Sequence, residues 1–107
     1  MPKVKGTYTH SLSVVEVVRR SANAVEELLD SFEATDIEIT DNGTDEMAFS
    51  CEIRGFSISG EVSISDDDIE VVVDLPFFAS SYKGRVRDAM DKRIPKYLEE
   101  KEPDDEP

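Results

Sequence analysis

The sequence predicts an α+β domain: a curved antiparallel sheet of four to five strands with two helices packed on one face. Three observations carry that expectation. One segment near the N-terminus has a strong helical period, a series of short segments after it alternates apolar and polar residues, and compact turn signals separate those segments. The expected order is β-α-β-β-β-β-α. Short connections favour an antiparallel meander for the last four strands, and two amphipathic helices need the one dry sheet face as cover.

Residues 3–9 alternate weakly and form the first expected strand, with Val4 and Tyr8 on one side. The first helix follows. Ser13 and Glu16 make an S-x-x-E capping box, which satisfies two orphan backbone donors at a helix start. At about 100° per residue, Val14, Val18, Val25, Leu29 and Phe32 share a face flanked by Val15, Val17, Ala22 and Leu28. Glu16, Arg19, Arg20, Asn23, Glu26, Glu27 and Asp30 fall opposite, on the side expected to meet water.

After Phe32 the period changes to two. Ile37 and Ile39 alternate with Asp36, Glu38 and Thr40, and Asn42-Gly43 supplies a turn that tolerates positive φ. Met47, Phe49, Cys51 and Ile53 share one face of the next strand. Beyond Gly55, so do Phe56, Ile58, Val62 and Ile64, with Ser57, Ser59, Glu61, Ser63 and Ser65 between them. Such alternation belongs to a sheet with one dry and one wet face. Asp66-Asp67-Asp68 turns the chain into Ile69, Val71, Val73 and Leu75, and Pro76 ends that strand. A second helix is expected from Ser80 or Ser81, with Tyr82, Val86, Ala89, Met90 and Tyr97 on one side. Pro95 is expected to kink or restart it. Residues 1–98 then form a single domain. Residues 99–107, acidic and without an apolar side chain, form a disordered tail.

A chain of 107 residues suffices for one unstapled core. Its formal net charge of −13 repels nucleic acid and anionic lipid on average. The charge is uneven. Residues 1–82 hold five basic and seventeen acidic residues, whereas residues 83–96 hold six basic and two acidic. One cysteine allows neither an intrachain disulfide nor a cysteine-rich metal site. No run approaches the length of a membrane-spanning helix, and no apolar leader follows the N-terminus, so the expected location is cytoplasmic.

No catalytic constellation stands out, and the expectation is a protein that is not an enzyme and carries no cofactor. His10 is the single histidine and is expected at a strand end before the helix cap. Cys51 shares parity with Phe49 and Ile53, which turns its thiol inward as inert packing. Asp66-Asp67-Asp68 runs straight into strand residues and lacks the twelve-residue span of a calcium loop, so a solvated hairpin turn is expected. Neither Gly55 nor Gly60 opens a helix as a phosphate loop requires.

Two features remain. The cations from Lys83 to Lys96 do not align as the stripe that nucleic acid wants: Lys83 and Arg87 flank one side of the apolar face, and Arg85, Lys92 and Lys96 the other. Arg93 points along that face, and Asp88 and Lys92 are spaced for an ion pair. This spread suits snorkelling side chains or an acidic partner surface. Phe77 and Phe78, adjacent in a strand-to-helix connection, cannot both point the same way. The expectation is that both are partly buried, or that one closes the core while the other faces out.

The stretch GFSISGEVSISDDDIEVVVDLPFFASSYKGRVRDAMDKRIPKYL resembles the small bacterial family of polyhydroxyalkanoic acid system proteins. Gly60, the Asp66–Asp68 turn, Leu75, Phe77, Lys83, Gly84 and Arg85 occupy the places of that family's pattern. Thr9-His10-Ser11-Leu12 is similar to its strand-to-helix junction. Pro76 stands where glycine is usual, Pro95 interrupts the last helix, and the Asp36–Asp45 segment and the acidic tail are peculiar to this chain. The resemblance implies an accessory protein of polyhydroxyalkanoate storage that binds granule material or granule-associated proteins. The expected surface is Phe77, Phe78, Tyr82, Lys83 and Arg85. Two alternatives are a nucleic-acid or ribosome-associated module and a carrier of a small apolar ligand in a cavity between helices and sheet.

Overall fold

The computed structural model describes residues 3–42 and 45–99. Strand β1 (Lys3–Thr9) leads into helix α1 (Val14–Asp30). Strands β2 (Thr35–Asp41), β3 (Glu46–Ile53), β4 (Phe56–Ile64) and β5 (Asp68–Asp74) follow. A 3-10 turn over Phe77–Tyr82 then runs into helix α2 (Lys83–Tyr97). The expected order holds. All five strands form one antiparallel sheet in the order β1-β5-β4-β3-β2. Consecutive hairpins build β2 to β5, and β1 closes against β5 with Val4 opposite Val73 and Tyr8 opposite Ile69.

Local chemistry sets each junction. Ser13 caps α1 by accepting the Glu16 N–H at 3.2 Å, but the box is only half made. The Glu16 carboxylate turns to Arg19 and Arg20 instead of back to the cap, since two guanidinium partners outcompete one neutral amide. At the other end, Ala34 N–H bonds the Leu29 carbonyl and Glu33 N–H bonds that of Asp30. That is a Schellman close, with Glu33 at φ 59 where glycine is usual. Ile53 pairs with Phe56, so the β3–β4 loop is just Arg54-Gly55. Both residues have positive φ (53° and 83°), the type I′ geometry that matches strand twist. Asn42 starts the β2–β3 turn, its Oδ1 accepting the N–H groups of Asp45 and Glu46, each at 3.0 Å. Gly43, which the sequence suggested for positive φ there, lies outside the described residues.

The dry face carries Met47, Phe49, Cys51, Ile58, Val62, Ile64, Ile69, Val71 and Val73, all buried under the helices. Ser57, Ser59, Glu61 and Ser63 are exposed on the other face, where Lys3–Asp74 and Lys5–Glu70 ion pairs cross from β1 to β5. Gly60 lies opposite Phe49, whose ring fills the space where a side chain would stand.

Both helices depart from the wheel. The buried side of α1 centres on Val17, Ala24, Val25, Leu28 and Leu29, while Val15 is exposed. Arg20, expected in water, is only 5% exposed. Its Nε donates to Glu16 at 2.7 Å and its Nη1 to the carbonyls of Tyr97 and Glu99, so it caps the C-terminus of α2 from α1. Helix α2 passes through Pro95 without restarting and ends two residues later at Tyr97. Its buried residues are Val86, Met90 and Ile94, continued by Leu98 beyond the helix end. Of the predicted tail, Glu99 alone is described.

Candidate functional site at the aromatic end

Where β5 leaves the sheet, Pro76 and the 3-10 turn carry the chain across one end of the domain to α2. Leu75 and Ala79 turn inward there and close the core. Phe77 and Phe78 do not: they are 82% and 67% exposed, which corrects the expectation that both are partly buried or that one seals the core. The small Ala79 takes the inward position, and the tight turn leaves both rings outside. Phe56 joins them. It shares parity with buried Ile58, but it opens β4 at the sheet rim, beyond full cover by the helices, and is 40% exposed. The rings of Phe56 and Phe78 meet edge to face with centroids 4.7 Å apart, a favourable geometry for aromatic pairs.

Tyr82 and Arg85 continue this rim, with the guanidinium of Arg85 5.5 Å from the Tyr82 ring centroid. Lys83 is exposed at the first position of α2. The first turn of α2 thus carries Lys83 and Arg85 and no acid, opposite to the preference set by the helix dipole. Of the five residues singled out from sequence, Tyr82 and Arg85 line one cleft with Phe56, on which Phe78 packs, and Phe77 adjoins Phe78 in the chain. Lys83 is placed beside them by chain continuity.

Behind the rim lies a cleft of about 330 Å³ that sequence reasoning did not place. Leu28 and Leu29 of α1 with Phe32 just beyond it, the β3–β4 hairpin (Ile53, Phe56, Ile58), the 3-10 turn (Ala79, Tyr82) and Val86 of α2 wall it. Its polar lining includes Arg54, Arg85 and Glu33. The available signal was Arg54-Gly55, a two-residue turn between two apolar strands that had to end at the same rim as Phe56.

The residues tested for chemistry lie elsewhere. His10 is buried, with its Nε2 2.9 Å from the Ser65 carbonyl and its Nδ1 accepting the Leu12 N–H at 3.1 Å. With the His10 N–H on the Asp67 carbonyl, it latches the β1–α1 junction to the β4–β5 turn. Cys51 is buried in the core, and that burial pushes its thiol pKa up. The Asp66–Asp68 segment is a hairpin turn closed by Ser65, whose Oγ lies 2.6 Å from Asp68 Oδ1. The β1 edge is covered by α2: Arg87 donates to the Lys5 carbonyl, and the Tyr8 hydroxyl donates to Asp91 at 2.7 Å. Burial and Asp91 together raise the Tyr8 pKa well above its usual value. Lys96 pairs with Glu27 at 2.8 Å, whereas the ion pair expected between Asp88 and Lys92 is not formed. Among the described residues, no helix is long and apolar enough to cross a membrane, and no cluster of three potential ligands is placed to hold a metal ion.

Sheet, paired helices and aromatic rim define a small α+β domain with an apolar cleft open at one end. The chain belongs to the family described as putative polyhydroxyalkanoic acid system protein, whose profile matches residues 5–98. Membership associates it with polyhydroxyalkanoate storage. Among solved structures it is similar to the crystal structure of TTHA0849 from Thermus thermophilus. The similarity covers 91% of this chain and 92% of that one, at 11% identity and a TM-score of 0.41. No curated protein matches the chain.

Proposed function

We propose that the chain is a non-enzymatic, cytoplasmic accessory protein of polyhydroxyalkanoate storage, docking on granule polyester or on granule-associated proteins through its aromatic end. The observation that carries this reading is the exposure of Phe77 and Phe78 beside Phe56 and Tyr82, flanked by Lys83 and Arg85. Contiguous apolar groups left in water mark interaction surfaces. A polyester surface takes the rings, and the acidic groups of a coating protein take the two cations. The non-enzymatic part of the reading draws support from His10, whose two ring nitrogens face main-chain groups, and from the buried Cys51.

The test is co-sedimentation with polyhydroxyalkanoate particles, bare and coated with granule proteins. Phe77→Ser and Phe78→Ser should each melt close to wild type, because neither ring is buried. Each should weaken binding about tenfold or more, the worth of one phenylalanine taken out of water. A double variant that sediments as wild type does removes this junction from the contact. A wild type that binds neither particle but binds ribosomes or RNA with steep salt dependence replaces the reading with a nucleic-acid module.

A further inference from the structure

The cleft behind the rim is an apolar-walled space with cations at its mouth, in a protein of net charge −13. Leu28, Leu29, Ile58, Val73 and Leu75 give its floor and walls no means of holding a polar ligand body. At the mouth stand Arg54 and Arg85 against the single carboxylate of Glu33. Among the described residues Arg54 has neither an ion pair nor a hydrogen-bond partner, and Arg85 has the Tyr82 ring alone. Arg85 sits in a helix first turn where a cation costs stability. An apolar interior and an unneutralised cationic mouth call for an amphiphile with an anionic head.

We propose that this cleft binds the free acid of a single aliphatic chain, the tail between the helices and the sheet and the carboxylate at Arg54 and Arg85. Size sets the tail. A cavity of about 150 Å³ takes a six-carbon ring, so one of about 330 Å³ takes a chain of about eight to twelve carbons. Two sources share this chemistry, an ordinary fatty acid and a hydroxyalkanoic acid unit of the polyester. The inference goes beyond the particle reading: a chain that binds the free acid and no polyester keeps this inference and loses that one.

The experiment titrates the full chain with decanoate, 3-hydroxydecanoate and decanol, each below its aggregation threshold, by calorimetry and by methyl NMR. At least one acid should bind, and decanol should bind about threefold to tenfold more weakly for want of a charged head. Methyl signals of Leu28, Leu29, Ile58 and Val73 should shift, while those of Ile69 and Ile94 stay in place. Arg54→Gln and Arg85→Gln should each weaken the acid by about threefold to tenfold, and Glu33→Gln should tighten it by about twofold. All three positions are exposed, so the variants should keep the fold. Tighter binding of 3-hydroxydecanoate assigns the site to polyester units, and equal or tighter binding of decanoate to ordinary fatty acids. The proposal falls if neither acid binds, if decanol matches them, if both arginine variants bind as wild type, or if the shifts centre on Ile69 and Ile94.

Discussion

Gly60→Ala adds one methyl group to the middle of β4, and the structure says what it meets. An ideal Cβ there stands 2.2 Å from Cζ and 2.6 Å from Cε1 of Phe49, and 2.6 Å from the backbone carbonyl oxygen of Val72. Ordinary contacts of this kind sit near 3.5–4.0 Å. The ring must therefore retreat by more than about 1 Å to restore ordinary contact. It is 3% exposed and lies opposite Ile39 as well as Gly60, so it has little room, and the Val72 carbonyl is fixed in the sheet. Overpacking of this sort costs about 1–3 kcal/mol. Alanine regains about 0.5–1 kcal/mol over glycine in backbone entropy, which trims that cost without cancelling it. The net is about 0.5–2 kcal/mol, so at about 4–8 °C per kcal/mol for a domain near this size the melting temperature should fall by about 2–16 °C. Phe49→Leu shortens the offending side chain, so the double variant should lose less than the two single changes together, by about 0.5 kcal/mol or more. Thermal melts and urea titrations of the four proteins measure this. A Gly60→Ala variant that melts with wild type would refute the ring-over-glycine packing, and strictly additive losses would assign the strain to the Val72 carbonyl.

His10→Ala should cost about 1–3 kcal/mol in a urea titration, since it removes two part-buried hydrogen bonds, each worth about 0.5–1.5 kcal/mol; an unchanged midpoint would remove the latch. Cys51 should label slowly in the native protein and rapidly in denaturant. Because burial raises its folded pKa above 9.0, stability should decline as pH rises past about that value, and Cys51→Ala should flatten the decline. Glu16 is held down to about 2 by hydrogen bonds from Arg19 and then Arg20. Its contribution is fully present above its ordinary 4.5 and is lost as pH falls from there towards 2, so Glu16→Gln should lessen the acid dependence across that window. Equal acid limbs for the two proteins would remove that linkage.

Much of this was legible in the sequence because each element carries its own period. The alternation from Met47 to Ile64 set both strands and their dry face, and Cys51 went where its parity pointed. What the period could not carry were contacts made between elements. Arg20 sits on the polar side of its own helix and is buried because the end of α2 arrives there. Ile94 is buried because α2 continues through Pro95, where the sequence suggests a kink or restart. Of the rim, Phe77, Phe78, Tyr82 and Arg85 were visible as neighbours in sequence. Phe56 and Arg54 belong to it only because a two-residue hairpin ends at the same edge. The cleft has no local signature, since Leu29, Ile58 and Val86 come together only in the folded chain.

One edge of the sheet is covered and the other is not. β1 lies under α2, but among the described residues β2 ends the sheet with no further strand beside it, and its backbone groups can template a strand from another molecule. Asp36, Glu38 and Asp41, all exposed, charge that border, and the irregular register between Thr35 and Glu38 keeps it from being flat. Two such borders repel each other at neutral pH. Glu52, next to this border on β3, shares a hydrogen bond with Asp36 that raises its pKa, so it gives up its charge at a higher pH than an ordinary glutamate. As pH approaches the isoelectric region near 4.3, the electrostatic guard fades while the hydrogen-bonding groups of β2 remain. Mild acid therefore lowers the charge barrier along the free border while leaving its pairing groups in place.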